Sequence, residues 1–143
     1  MSSVAIIDYG MGNLHSIAKA IEHVAGKQRV IVSSSKEQIL SAERVVFPGV
    51  GAIRDCMSVL KKTGLDEVVV SATADRPVLG VCLGMQALLD SSEENGGTAC
   101  LGLIPGKVRH FSSDMHVAGN GERLKIPHMG WNQVLPQREH AMW

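Results

Sequence analysis

The sequence has no excess of charge of either sign: Lys plus Arg and Asp plus Glu each number 14, and the longest basic cluster is Lys61-Lys62. A partner that is a nucleic acid or an anionic membrane leaves a basic patch as its footprint. Neither partner is therefore expected. Long apolar runs are also missing. No stretch approaches the roughly 20 residues of a membrane span, and the opening MSSVAIIDYG lacks a basic segment followed by a long apolar one. The chain is expected to be soluble, unexported and cytoplasmic. Cysteine is scarce: Cys56, Cys82 and Cys100 are an odd number without CxxC spacing, which argues against a disulfide framework and against a zinc site. A phosphate-binding loop is lacking too. In Gly10-Met11-Gly12-Asn13 the third glycine of GxGxxG is replaced by His15, and no GxxxxGK occurs. Neither a metal nor a cofactor is expected.

What is present is a chain of 143 residues, 45% hydrophobic and 20% charged, close to the globular average and long enough for one domain with a real core. Val4 to Ile7 is an apolar, β-branched run halted by a glycine-rich turn. From Leu14 to Ala25 apolar residues recur at three- and four-residue spacing, with Gly26 as a stop. The unit then repeats. Residues 30–32 form a strand candidate, and Ser33-Ser34-Ser35 followed by Glu37 offers capping chemistry. Residues 45–47 form another strand, broken by Pro48-Gly49-Val50-Gly51, and helical spacing runs from Ala52 to Thr63-Gly64. A further helix covers residues 65–74. The continuous apolar run Pro77 to Cys82 has the form of a fully buried parallel strand.

Strands alternating with helices predict an α/β fold, a doubly wound and mostly parallel sheet with helices on both faces, whose ligands sit beyond the carboxyl ends of the strands. Beyond Asn95-Gly96-Gly97, the pieces 107–111, 124–126 and 131–135 predict a strand-rich C-terminal part of the same domain.

The sharpest local feature is Gly80-Val81-Cys82-Leu83-Gly84. A nucleophile-capable residue stands between glycines where a buried strand runs into a helix, the form of a nucleophile elbow. Glycines are needed there because a strained turn lifts the sulfur from the sheet and larger neighbours would clash with it. The helix's leading amides favour negative charge on sulfur, and the Leu83 amide is placed to donate to a developing oxyanion. A free cysteine is more often just a small buried hydrophobe, and Cys56 and Cys100 are read that way. Gly49, Val50 and Gly51 form an ordinary tight turn when taken alone. In a doubly wound sheet, however, that turn converges on the same crevice as Cys82, where its amides would complete an oxyanion site. His128 is the most structured of the six histidines, but no carboxylate follows it at an orienting spacing, so it is not assigned as a base.

Four blocks occur together and in order: Ile7-Asp8-Tyr9-Gly10-Met11-Gly12-Asn13-Leu14, Phe47-Pro48-Gly49-Val50-Gly51-Ala52, Leu79-Gly80-Val81-Cys82-Leu83-Gly84-Met85-Gln86 and Pro127-His128-Met129-Gly130-Trp131-Asn132. With them the chain resembles the glutamine amidotransferase subunits of imidazole glycerol phosphate synthases, from residue 4 to its last residue. The cysteine block alone indicates only the wider class I, triad-type amidotransferases. The resemblance implies hydrolysis of glutamine to glutamate and ammonia. The ammonia would pass to a (β/α)8-barrel cyclase subunit that forms imidazole glycerol phosphate and an aminoimidazole carboxamide ribotide in histidine biosynthesis. It implies Cys82 as nucleophile, Gly49, Val50, Gly51 and Leu83 around the oxyanion, Gln86 at bound glutamine, and Asn13 and Trp131 near the cyclase interface. The family completes its triad with a histidine and a glutamate two residues apart, and no such pair follows Trp131 here. The chain is therefore expected to be incomplete at its C-terminus and inactive by itself. Two other readings stay open: a silent module keeping only the cyclase-docking surface, and an independent cysteine hydrolase on the same fold.

Overall fold

A computed structural model describes residues 2–117, 119, 121–127 and 129–139 of the chain. The chain divides into two compact units, residues 1–110 and 111–143. The first contains the alternation expected from sequence. Its elements are β1 (Ser3–Ile7), α1 (Leu14–Val24), β2 (Arg29–Ser33), α2 (Lys36–Ser41), β3 (Arg44–Phe47), α3 (Ile53–Thr63), α4 (Leu65–Asp75), β4 (Val78–Gly80) and α5 (Leu83–Ala87). The four strands make one parallel sheet in the order β2-β1-β3-β4.

Local chemistry sets the boundaries. Ser35 caps α2 by accepting from the Gln38 amide at 3.3 Å, and Asn13 caps α1 in the same way from Ser16. Gly64 ends α3 and opens α4 with a φ of 68°, a left-handed conformation that glycine adopts without a Cβ penalty. The inward faces of α3, α4 and α5 close one core with Ile7, Val45 and Phe47. On the other sheet face Leu14, Ile17, Ala18 and Ile21 of α1 lie over Val4, Ile6 and Val46. Helices therefore cover both faces.

A smaller mixed sheet follows: β5 (Ser91–Ser92), β6 (Thr98–Ala99) and β7 (Lys107–Val108), in the order β6-β5-β7. Between β5 and β6 a 3-10 turn covers Glu94–Gly96.

Two expectations are corrected. The run 77–82 is not a fully buried strand. Only Val78–Gly80 is strand, it pairs with β3 alone among the described residues, and Leu79 is 42% exposed. Among the described residues of the second unit, 124–126 and 131–135 are not strands either. Its described residues include a bridge between His116 and Arg123, with the Leu124 amide donating to the Met115 carbonyl at 2.9 Å. An apolar run becomes a strand only where a neighbouring backbone takes up its hydrogen bonds, and Val134 and Leu135 lie exposed.

Candidate active site

The site grows from the junction of β4 and α5. Cys82 is exposed there, with φ 55° and ψ −114°, a backbone region that costs a non-glycine residue about 1–3 kcal/mol. The glycines around it are needed for space. A Cβ on Gly84 would strike the Phe47 carbonyl, and one on Gly80 would come within 2.8 Å of the Met85 backbone. The short helix can then press directly onto the end of β3. The Val81 amide donates to the Phe47 carbonyl at 2.9 Å and fixes the approach.

The turn after β3 lies against this elbow. A Cβ built on Gly49 would meet the Gly84 nitrogen and the Leu83 Cβ, both at 2.9 Å. Gly51 has φ 91°, and its Cβ position lies 3.2 Å from Met11 Cε. The Cβ position of Gly12 lies 3.6 Å from Pro48. The loops after β1 and β3 thus meet beside the loop after β4, as carboxyl-end loops of a parallel sheet should. Gln86 is half-buried on α5 and Val50 is exposed.

Leu83 differs from expectation in one respect. Its amide donates to the Gly49 carbonyl across 3.4 Å, longer than an ordinary N–H···O bond. The Gly84 amide donates to Val81 at 3.0 Å. An oxyanion would receive the Leu83 amide only by displacing this long bond. The helix behind it spans only Leu83–Ala87, too short to present the dipole of a full-length helix.

Two residues important to this geometry were not singled out by sequence. Tyr9 is buried at the end of β1, donates its hydroxyl to the Pro48 carbonyl at 3.0 Å, and packs edge-on to Phe47 with ring centroids 5.7 Å apart. Burial, then its hydrogen bond with Cys56, pushes the phenol far above its ordinary range, so it stays protonated. Glu94 accepts from the Ile53 amide at 2.8 Å and so caps α3 from a distance, while Arg54 donates to the Asn95 carbonyl. That a buried hydroxyl must find a partner is the one rule that could have marked Tyr9, and it applies only once the burial is known. The pairing of Glu94 has no local signature.

Cys56 is buried and Cys100 half-buried, and desolvation raises both thiols above their ordinary value. Among the described residues no group of three or more His, Cys, Asp or Glu is placed to hold a metal ion. No hydrogen bond there joins a histidine to Cys82. Asn13 is exposed with its side chain engaged in capping α1. Trp131 is fully exposed within the second unit, and His128 lies outside the described residues.

An exposed cysteine on a strained strand-to-helix turn of a doubly wound sheet, with a glycine turn packed beside it, has the form of a nucleophile elbow. The family model for class-I glutamine amidotransferases matches residues 5–143, and the chain belongs to that family. Within it the chain is similar to proteins named imidazole glycerol phosphate synthase subunit HisH. It is 58% identical over 143 residues to that of Pseudomonas syringae pv. syringae, 61% to HisH 1 of Pseudomonas aeruginosa and 58% to that of Nitrosococcus oceani. Each comparison covers 100% of this chain and 66% of the relative.

Proposed function

We propose that the chain is the glutamine-hydrolysing part of an imidazole glycerol phosphate synthase, acting in the cytoplasm and passing ammonia to a (β/α)8-barrel cyclase subunit in histidine biosynthesis. The observation that carries this reading is the strained, exposed Cys82 held between Gly80 and Gly84 against the Gly49 turn, and the similarity to HisH proteins supports it. The Cys82 thiolate attacks the carbon of the glutamine side-chain amide, and the carbonyl pair moves onto oxygen. Amides of Leu83 and of Val50 or Gly51 receive that charge once the Leu83 bond to Gly49 has exchanged. Gln86 contacts the bound glutamine, and Asn13 and Trp131 lie near the cyclase interface.

Collapse of the intermediate breaks the carbon–nitrogen bond, and the nitrogen needs a proton to leave as ammonia. Water then cleaves the thioester to glutamate and regenerates the thiol. Both steps call for an acid–base group such as histidine, worth about 10²–10⁴-fold, and these 143 residues hold no histidine and glutamate two apart after Trp131. By themselves they are proposed to form thioester slowly and not to turn over.

The test is ammonia release from glutamine, measured with the cyclase subunit present. The product of the full coding sequence is expected to release ammonia, and Cys82→Ala to abolish it. The 143-residue chain is expected to yield at most a glutamyl adduct on Cys82 by mass spectrometry. Steady turnover by that chain, lost in Cys82→Ala, would show that another residue supplies the base. A full-length protein inert toward glutamine leaves the reading of a cyclase-docking module.

A further inference from the structure

We infer that Tyr9 is a positioning residue for the turn at 49–51, holding it in register with the Cys82 elbow through a buried hydrogen-bond chain from Cys56 to the Pro48 carbonyl. The inference rests on the glutaminase reading and adds to it a residue that never touches substrate.

Cys56 Sγ donates to the Tyr9 hydroxyl across 3.5 Å, and that hydroxyl donates to the Pro48 carbonyl at 3.0 Å. Cys56 is wholly buried and Tyr9 is 4% exposed, so no water competes for either bond. The same hydroxyl lies 2.7 Å from the Cβ position of Gly49, whose other neighbours are the Gly84 nitrogen and the Leu83 Cβ. The space a side chain at Gly49 would need is therefore already filled by the phenol and the elbow together. Any side chain at Gly49 would strike both. The phenol also comes close enough to feel charge on Cys82 as well as on Cys56, while burial keeps its own proton in place.

The carbonyl of Pro48 begins the peptide that leads into Gly49. Once that oxygen is tied down from below, rotation of the following peptides is confined to those toward Gly51. The amides expected to meet the oxyanion lie there. Tyr9 thus makes the turn rigid at its root and leaves it free at its tip, which the reaction needs if the Leu83–Gly49 bond is to exchange. The ring also makes its edge contact with Phe47, and that contact survives removal of the hydroxyl. Tyr9→Phe consequently separates the hydrogen bond from the packing.

The experiment compares wild type with Tyr9→Phe, each expressed from the full coding sequence and assayed with the cyclase subunit. Turnover is normalised to reactive Cys82 titrated with radiolabelled iodoacetamide. That alkylation displaces iodide at a saturated carbon and uses no oxyanion site. Misplacement of catalytic groups by a fraction of an ångström costs up to about a hundredfold, and loss of this one tie is expected to lower kcat per titrated thiol about fivefold to thirtyfold. KM for glutamine should stay within about twofold. Cys56→Ser, which keeps a donor to the phenol, is expected to retain most of the turnover. A merely structural role would lower the titratable fraction or the melting temperature and leave kcat per thiol unchanged, and that result overturns the inference. A wild type without glutaminase activity overturns the glutaminase reading and this inference together.

Discussion

Cys82 is held at φ 55° and ψ −114°, a combination that glycine accepts without strain and a side chain does not. Cys82→Gly should therefore be more stable than Cys82→Ala by about 1 kcal/mol in urea unfolding, the relief of strain exceeding the extra chain entropy of glycine. Equal stability would show that the turn relaxes without cost. The accessible position of the same residue predicts its chemistry. Cys56 and Cys100 are covered, and burial raises both thiols, so each reaches its reactive thiolate only above the ordinary thiol range. Between pH 7 and 8, roughly a unit below a free thiol's pKa, iodoacetamide should label Cys82 first by peptide mapping. As pH rises toward 10 the other two should begin to follow. Comparable labelling of Cys56 at pH 7 would contradict the burial described. Gly84 supplies a third test. Gly84→Ala drives its methyl into the Phe47 carbonyl and should cost about 3 kcal/mol or prevent folding. Gly96→Ala, with open space around it but φ 78°, should cost only about 1 kcal/mol. Cys82 and its glycines were legible because a nucleophile elbow is a local pattern. Tyr9 and Glu94 were not, since each acts on a peptide some forty residues distant in sequence.

The helices show how far local rules reach. Boundaries of α1, α2 and α3 follow from Asn13, Ser35 and Gly64, all residues whose capping or left-handed preference is written in their chemistry. α3 begins differently. Ala52 offers no side-chain cap, and the carboxylate of Glu94 serves instead. Glu94→Ala should lower stability by about 1 kcal/mol, the ordinary worth of an N-cap, and hydrogen exchange should quicken at the first turn of α3 more than in α4. Uniform protection across both helices would indicate that the cap is dispensable. The short runs at 124–126 and 131–135 mark the opposite limit. Their composition suits strands, but a strand is completed by its neighbour, and a single sequence does not name that neighbour.

At the scale of the molecule, β4 has the apolar character of an interior strand and, among the described residues, the position of an edge, with Leu79 42% exposed. Exposed, apolar strand edges recruit other chains. The 143-residue chain should therefore associate as its concentration rises, followed by sedimentation velocity, and Leu79→Lys should return it toward monomer. A chain that stays monomeric without the substitution would show the edge already satisfied. The parallel order β2-β1-β3-β4 has a further effect on synthesis. The first strand made is an inner one, joined by β2 within the first 33 residues and by β3 soon after. Only then does β4 emerge to pair with β3 and carry Cys82 against Phe47 and the Gly49 turn. A nascent or misfolded copy therefore carries an ordinary, unstrained cysteine, and the strained, exposed conformation of Cys82 exists only in chains that have already passed the test of folding.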